Sequence, residues 1–184
     1  MYYVQLDLFG KVGVGKTTIY NLFAGDKYMQ DGGNLCDDFR VYYRRCWVFP
    51  RVSEHYMCFL SDPVFEMRWK DLQFKFLKKM FEPTNVIYIV TDSTPEDVEA
   101  VKNSLNLYDK LKRGLIIFVI ANKQDLPDAV PVEKIKEILG INDVYGLSAL
   151  SPDAKEIMEK ALRDGLNRYL LMLTKRGERL ELVD

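Results

Sequence analysis

Long apolar runs are absent from this chain of 184 residues. No hydrophobic stretch reaches about 18 residues, so we expect no membrane-spanning helix. Cysteines are few, and Cys36, Cys46 and Cys58 show no metal-type spacing. Their odd number, without a secretory leader, predicts reduced thiols in a cytoplasmic protein. The net charge is only −1, so the composition gives no sign of nucleic-acid binding.

Lipidation signals are absent as well. The start Met1-Tyr2 excludes myristoylation and the ending ELVD is not a prenylation signal, so we expect no direct membrane anchor. What is present fits a soluble globular protein, because hydrophobic residues make up 48% of the chain and charged residues 29%. The length predicts a single domain over residues 1–184, with a polar C-terminal tail from about residue 174.

Strand-like and helix-like segments alternate along the chain, judged by apolar runs and by apolar spacings of three and four. The predicted strands are residues 2–9, 39–49, 56–62, 85–92, 114–122 and 143–149. The predicted helices are residues 16–25, 67–81, 94–111, 132–140 and 151–172, and residues 26–38 are predicted to be a surface loop. This order predicts an α/β fold of three layers. A mostly parallel central sheet of about six strands would carry helices on both faces. Ligands of such folds bind at the carboxyl ends of the strands.

The first predicted strand ends in the sequence GKVGVGKTT, residues 10–18. It matches the phosphate-loop pattern G-x-x-x-x-G-K-[ST], and it follows a strand and opens a helix, as that pattern requires. Glycines let backbone N–H groups turn inward around phosphates, and the helix start adds a positive dipole. We expect Lys16 to reach the β and γ phosphates and to serve catalysis, and the Thr17 hydroxyl to bind Mg²⁺. The nucleotide-binding residues predicted here are Gly10, Val12, Gly13, Val14, Gly15, Lys16, Thr17 and Thr18.

The sequence Asn122-Lys123-Gln124-Asp125 follows a later apolar strand and predicts the base. The carboxylate of Asp125 can accept hydrogen bonds from N1–H and the 2-amino group of guanine, a pair of donors that adenine lacks. Asn122 can connect this loop to the phosphate loop, and the stem of Lys123 can cover the base and ribose. Ser148, Ala149 and Leu150 follow the next strand, and the Ala149 backbone N–H is expected to meet guanine O6.

Together these segments resemble the small GTPases of the Ras superfamily. The sequence NKQDLPDA, residues 122–129, especially resembles the Arf-type branch, which includes the β subunit of the signal recognition particle receptor. It is also similar to the prokaryotic polarity GTPases of the MglA type. The resemblance covers roughly residues 3–172 and is poor between residues 26 and 70. It implies a small G domain, GTP and GDP as ligands, Mg²⁺, slow hydrolysis, and two switch loops that sense the γ-phosphate.

The resemblance also assigns a role to Asp62, at the end of the third predicted strand. It stands where the family has the aspartate that holds Mg²⁺ through water. The family then has a glycine for the γ-phosphate and often a glutamine that orients the attacking water. This chain has Phe65 and Glu66 instead, and its next glutamine is Gln73. A carboxylate at Glu66 would repel the triphosphate, so it is a poor substitute.

The other switch is irregular too, because the family supplies a Mg²⁺-binding threonine and residues 19–61 contain none. The nucleotide pocket is therefore recognisable and the hydrolytic apparatus is not. One interpretation is a molecular switch with slow or partner-assisted hydrolysis. The alternative is a hydrolysis-deficient, GTP-bound scaffold that presents a binding surface to a partner. A third class, an ATP-using kinase, is disfavoured by Asp125 and by the absence of an arginine-rich lid helix.

The sequence FRVYYRRCWVFPR, residues 39–51, places four arginines among aromatic residues, without an acid. Nucleic acid can bind such a run by stacking and phosphate contact, but near-zero net charge argues against it, and we expect no nucleic-acid partner. A strand with its arginines in water is the simplest interpretation. A protein effector or regulator that binds the switch and interswitch region, residues 26–70, is the more specific one, because tyrosine, tryptophan and arginine are enriched at interface hot spots. We rank it above an arginine that reaches the γ-phosphate of its own chain.

Overall fold

The fold is described from a computed structural model, which covers residues 2–24, 29–36, 39–47, 56–64, 85–111 and 115–175. The strands are β1 (Tyr2–Phe9), β2 (Met29–Cys36), β3 (Phe39–Trp47), β4 (Tyr56–Val64), β5 (Val86–Thr91), β6 (Ile116–Ala121) and β7 (Val144–Gly146). The helices within these ranges are α1 (Lys16–Ala24), α2 (Pro95–Leu111), α3 (Val132–Leu139) and α4 (Ala154–Lys175).

The seven strands of the described residues form one sheet in the order β2-β3-β4-β1-β5-β6-β7. The five strands β4, β1, β5, β6 and β7 are parallel, and β2 and β3 join them as an antiparallel pair. Strands β5 and β6 are buried almost throughout, as expected for parallel strands that are covered on both faces. The predicted α/β architecture with a mostly parallel sheet is therefore confirmed.

The sheet has one strand more than the roughly six predicted, because residues 29–36 form β2 and not part of a surface loop. The sequence MQDGGNLC is polar and contains two glycines, so it has little strand propensity of its own. It extends because it pairs along β3, from Met29 opposite Arg45 to Cys36 opposite Phe39. The backbone partner, and not the local sequence, makes this strand.

Other element boundaries differ less from the predictions. Strand β4 continues through Pro63 to Val64, where it pairs with β3 beyond the last paired residue of β1, and β7 is shorter than predicted. Helix α3 ends as predicted at Gly140, whose left-handed φ of 69° allows its N–H to bond the carbonyl of Lys136. Helix α4 begins at Ala154 and continues to Lys175. The predicted helix 67–81 and the tail beyond residue 175 lie outside the described residues.

Side chains alternate between two cores on opposite faces of the sheet. One core joins the even-numbered residues of the central strands to α1 and α4, with Leu6, Tyr88 and Phe118 from the sheet against Ile19 and Leu162. The other core joins the opposite face to α2 and α3. These two cores make the three layers and leave the carboxyl ends of the parallel strands at one common edge.

Of the described helices, none is long and apolar enough to cross a membrane.

Gly165 allows α4 to pack closely on the sheet. The hydroxyl of Tyr88 donates to the carbonyl of Ala161 at 3.1 Å, which brings the tyrosine directly under the helix. A Cβ added at Gly165 would lie 2.0 Å from the Tyr88 hydroxyl oxygen and 3.0 Å from ring carbon Cζ. Contacts this short cannot be accommodated without moving the helix or the ring.

We predict that Gly165→Ala destabilises the protein by about 1–3 kcal/mol, because the added methyl overpacks this contact. An exposed helical site would show the opposite sign, since alanine is favoured over glycine by about 1 kcal/mol. The penalty should be smaller in a Tyr88→Phe background, which lacks the clashing oxygen. Urea denaturation of the four proteins measures both effects. An unchanged or raised midpoint for Gly165→Ala would show that the close packing is absent.

Candidate nucleotide-binding site

The phosphate loop connects β1 to α1 and requires glycine at two positions. Gly10 has a φ of 147°, and a Cβ there would lie 2.3 Å from the carbonyl oxygen of Val90 on β5. Gly15 has a φ of 100°, and a Cβ there would lie 2.2 Å from the side-chain nitrogen of Asn122. Both ends of the loop therefore approach neighbouring segments too closely for any side chain. This places the loop at the carboxyl edge of the sheet, beside β5 and β6.

Lys16 holds its ammonium group above this loop. Its Nζ donates to the carbonyl oxygens of Gly10 at 3.0 Å and Lys11 at 2.8 Å. Thr17 is exposed and Thr18 is half-buried in the first turn of α1. The cation predicted to bind phosphate is thus already at the mouth of the loop, held by neutral acceptors that a charged phosphate can replace.

Asn122 joins the phosphate loop to the base loop, which is the N-K-x-D segment of residues 122–125. Its Nδ2 donates to the carbonyl of Val14 at 2.8 Å, and its Oδ1 accepts from the backbone N–H of Ala149 at 2.9 Å. The side chain is 2% exposed, so neither group has water as an alternative partner. This is the connection between loops that the sequence analysis expected. The same geometry occupies the Ala149 N–H, so a contact with guanine O6 requires that this donor be shared with Asn122 or released by it.

Two residues whose roles the sequence did not predict support the base loop through hydrogen bonds. Ser93, just after β5, donates its hydroxyl to the carbonyl of Asn122 at 2.6 Å. Gln124 donates its side-chain amide to the Ser93 hydroxyl at 2.8 Å and to the carbonyl of Val130 at 3.1 Å. Gln124 is the unspecified position of N-K-x-D, so the motif carried no signal for it. The position of Ser93 at a strand end was the only clue.

This support leaves the other motif residues at the surface. Asp125 is exposed, and Lys123 takes a left-handed φ of 61°, which reverses the chain between Asn122 and Asp125. Leu150 is 87% exposed in the loop after β7, and Val12 is 92% exposed in the phosphate loop. Apolar side chains on the rim of this edge can contact the flat faces and the sugar of a nucleotide.

The two predicted metal residues have the chemistry that Mg²⁺ prefers, and they come from neighbouring elements of the fold. Ser61 of β4 pairs with Asp7 of β1, close to the end of β1 at which the phosphate loop begins. Asp62 is the next residue of β4 toward that end. Thr17 lies in the first turn of α1, which packs against β4. A hydroxyl and a carboxylate are the hard oxygen donors that Mg²⁺ takes in nucleotide sites. The described residues hold no group of three or more histidine, cysteine or acidic side chains that would suggest another metal.

A second charged group lies beside the loop and was not predicted. The Nζ of Lys11 is 3.1 Å from Asp97 Oδ1 and 3.5 Å from Asp92 Oδ2. Burial alone would raise the pKa of Asp92, but hydrogen bonds from Thr94 and the charges of Lys11 and Lys123 outweigh it and lower that pKa. Burial alone would lower the pKa of Lys11, but hydrogen bonding and attraction to both aspartates raise it. Lys11 and Asp92 are therefore both charged at neutral pH.

Comparisons with known proteins agree with this geometry. A solved structure of the G domain of the T. maritima FeoB iron transporter matches with a TM-score of 0.62, over 90% of this chain and 99% of that chain. The sequence identity is 15%, so this likeness shows the fold alone. ADP-ribosylation factor-like protein 4C of Homo sapiens, and its counterpart of Mus musculus, are each 29% identical over 99 residues. That alignment covers 52% of this chain and 52% of each relative, so the chain spans about half the length of the curated relatives it matches.

The model of the ADP-ribosylation factor family matches residues 70–172, which is more than half of the chain. This range contains the base loop with Asn122 and Asp125 and the loop after β7 with Ala149, and it excludes the phosphate loop. The phosphate loop lies outside this range and is connected to it by the hydrogen bond from Asn122 to Val14. The resemblance to the Arf-type branch of the Ras superfamily is confirmed, and the chain belongs to the ADP-ribosylation factor family.

Proposed function

We propose that this protein is a small guanine-nucleotide-binding switch of the cytoplasm that binds GTP and GDP at the carboxyl edge of the sheet. The observation that carries the proposal is the Asn122 amide, which holds the phosphate loop at Val14 and the loop of Ala149 in one fixed relation. A phosphate chain and a base are the two ends of one ligand, so a site for both needs these loops at a set distance. Such pre-organisation lowers the entropic cost of binding.

Guanine is the base that this site favours. Asp125 presents two acceptor oxygens at the surface, next to the reversed backbone of Lys123. A guanine offers two donors to these oxygens. An adenine would instead place an acceptor nitrogen of its ring against the carboxylate. The stem of Lys123 and the exposed Leu150 supply apolar contact for the base. An ATP-using kinase remains the disfavoured third class.

Magnesium is the cofactor that the site would take with the nucleotide. Thr17 would bind it directly, and Asp62 would hold it through water. When bound, the ion neutralises charge on the β and γ phosphates. The chain's own contribution would be Lys16, whose ammonium would bind the phosphates in place of the loop carbonyls.

Hydrolysis by the isolated protein is proposed to be slow. Phe65 and Glu66, at positions where the family has its glycine and glutamine, lie outside the described residues, so this part rests on the sequence. The alternative function, a hydrolysis-deficient scaffold that stays GTP-bound, shares the same nucleotide site. The two differ only in whether a partner can complete the reaction.

Partner binding is proposed for the switch and interswitch region, residues 26–70. In the pairing of β3 with β4, Arg44 lies opposite Asp62 and Arg45 lies opposite Ser61. Neighbouring residues of a strand lie on opposite faces of the sheet. Arg44 therefore occupies the register position of the predicted metal residue, and Arg45 is one position away from it. The two arginines were considered for two roles, partner binding and contact with the γ-phosphate of their own chain. Because they occupy different register positions, single variants test these roles better than a double variant.

We predict that the protein prefers guanine over adenine nucleotides by at least about 100-fold, because a mismatched base leaves the Asp125 carboxylate without donors. Asp125→Asn should weaken GTP binding and improve binding of xanthosine triphosphate, whose ring presents an acceptor to the new amide donor. Titration calorimetry measures all three ligands. Asp128→Asn, in the same exposed loop, is the matched control and should change none of them. Equal affinity of the parent for ATP and GTP would refute guanine recognition.

We predict a single-turnover GTP hydrolysis rate far below one per second, because a missing water-positioning group or transition-state cation costs several powers of ten in rate. Thr17→Ala should remove the Mg²⁺ dependence of GTP binding while GDP is still bound. Quenched-flow or filter assays of phosphate release measure the rate. A turnover of about one per second without a partner would contradict the proposal.

The arginine variants decide how the residual rate arises. If a partner binds this region, Arg45→Ala and Arg44→Ala should weaken capture of that partner by GTP-loaded protein and leave the intrinsic rate unchanged. If Arg44→Ala alone abolishes residual hydrolysis and partner capture survives, an arginine acting within its own chain replaces the partner interpretation.

A further inference from the structure

Lys11 lies in the phosphate loop but its side chain is bound to another part of the fold. Its ammonium bridges Asp97 at 3.1 Å and Asp92 at 3.5 Å, at the start of α2. The two carboxylate side chains are 4% and 14% exposed, while the Lys11 side chain is 44% exposed. The loop is thus attached to the start of α2 by a cation between two largely buried anions.

Each carboxylate uses its other oxygen to fix the start of α2. Asp92 Oδ1 accepts from the backbone N–H of Thr94 at 3.2 Å and from its hydroxyl at 2.7 Å. Asp97 Oδ2 accepts from the backbone N–H of Asp92 at 3.0 Å, and the Thr94 hydroxyl oxygen accepts from the Asp97 N–H at 3.3 Å. The two aspartates are therefore held in place before Lys11 is considered. Lys11 binds to a rigid partner.

The backbone of Lys11 faces the other way and holds the phosphate-binding cation. The carbonyl oxygens of Lys11 and Gly10 are the acceptors for Lys16 Nζ. A displacement of the loop at Lys11 would move both acceptors and the N–H groups that follow them. The position of Lys16 is therefore connected, through the backbone of Lys11, to the start of α2.

We propose that Lys11 is a positioning residue for nucleotide binding. It clamps the phosphate loop to Asp92 and Asp97, and the lifetime of the bound nucleotide depends on this clamp. The inference rests on the proposed function and adds a residue that the phosphate-loop pattern leaves unspecified. In this role the Lys11 ammonium binds the two aspartates and not the phosphates. Without the charge of Lys11, the phosphate loop loses its attachment to α2. Two uncompensated carboxylates then remain beside a ligand that is itself an anion.

Solvent limits the size of the effect, because the ammonium group is partly exposed and its ion pairs are screened. The carboxylates are more buried than the lysine, so removing the cation costs more than an exposed pair would suggest. We therefore expect an effect of about one power of ten on nucleotide release.

The test measures release of a fluorescent N-methylanthraniloyl GDP from the full chain, with excess GDP as the chase and Mg²⁺ held constant. Lys11→Met keeps the length of the stem and removes the charge, and it should accelerate release about 5- to 50-fold. Lys11→Arg should restore release to within about threefold of the parent, because an arginine can bridge both carboxylates. Single-turnover hydrolysis of bound GTP should change less than about threefold in Lys11→Met, since the lysine does not touch the reacting atoms.

Glu99 and Lys102 provide the matched control, because they form an exposed ion pair on the same helix with 3.9 Å between Nζ and Oε2. Glu99→Gln and Lys102→Met should leave release within about twofold of the parent. If Lys11→Met does not fold, Asp97→Asn decides, because the amide keeps the hydrogen bond to the Asp92 N–H and loses the charge. It should accelerate release, and an unchanged rate would overturn the proposal.

The remaining outcomes are distinguishable. If the parent retains the fluorescent GDP and Lys11→Met releases it at the parent rate, the clamp is wrong and the proposed function stands. If Lys11→Met slows hydrolysis of bound GTP tenfold or more with unchanged release, Lys11 acts at the phosphates and the positioning role is wrong. If the parent does not bind the fluorescent GDP at all, the proposed function itself fails.

Discussion

The site depends on the two hydrogen bonds of one buried amide. Asn122 donates to Val14 in the phosphate loop and accepts from Ala149 after β7, so three loops from distant parts of the sequence meet at one side chain. A buried amide without partners costs about 1–3 kcal/mol, so each loop must stay within reach of the other two. Gly15 follows from the same constraint, because any side chain there would occupy the space of the Asn122 amide nitrogen. The glycine of the phosphate-loop pattern and the asparagine of the base motif are thus two sides of one contact.

The parallel sheet makes this meeting possible. Strands β1, β5, β6 and β7 end at one edge, and each delivers a loop there: the phosphate loop, the segment of Asp92 and Ser93, the base loop and the loop of Ala149. The segment after β5 lies between the others. It contacts the phosphate loop through Lys11 and the base loop through Ser93, so the loops are connected by a second route besides Asn122. A ligand that binds at this edge meets loops that already support one another.

Much of this was readable from the sequence, because short-range patterns determine it. The phosphate loop needs glycines at fixed spacing between a strand and a helix, and the buried strands β5 and β6 are continuous apolar runs. The parts that were missed depend on distant partners. Strand β2 exists only because it pairs with β3, and its own glycine-containing sequence indicated a loop. The attachment of Lys11 to Asp92 and Asp97 joins residues more than 80 positions apart, and a lysine at a free position of a motif carries no sign of its partner. The roles of Ser93 and Gln124 were not predicted for the same reason. Both support the backbone of the base loop through hydrogen bonds that the motif does not describe.

The central claim is that the Asn122 amide holds the loops together before any ligand binds. Amide hydrogen exchange at Ala149, measured by NMR on nucleotide-free protein, tests it most directly, because this N–H donates to Asn122 Oδ1 at 2.9 Å. The account predicts that the Ala149 amide is protected in the parent and exchanges about tenfold or more faster in Asn122→Ala. Asn122→Asp should keep the protection at Ala149, since the carboxylate still accepts, while it loses the donor to Val14. An Ala149 amide that exchanges equally fast in the parent and in Asn122→Ala would contradict the account.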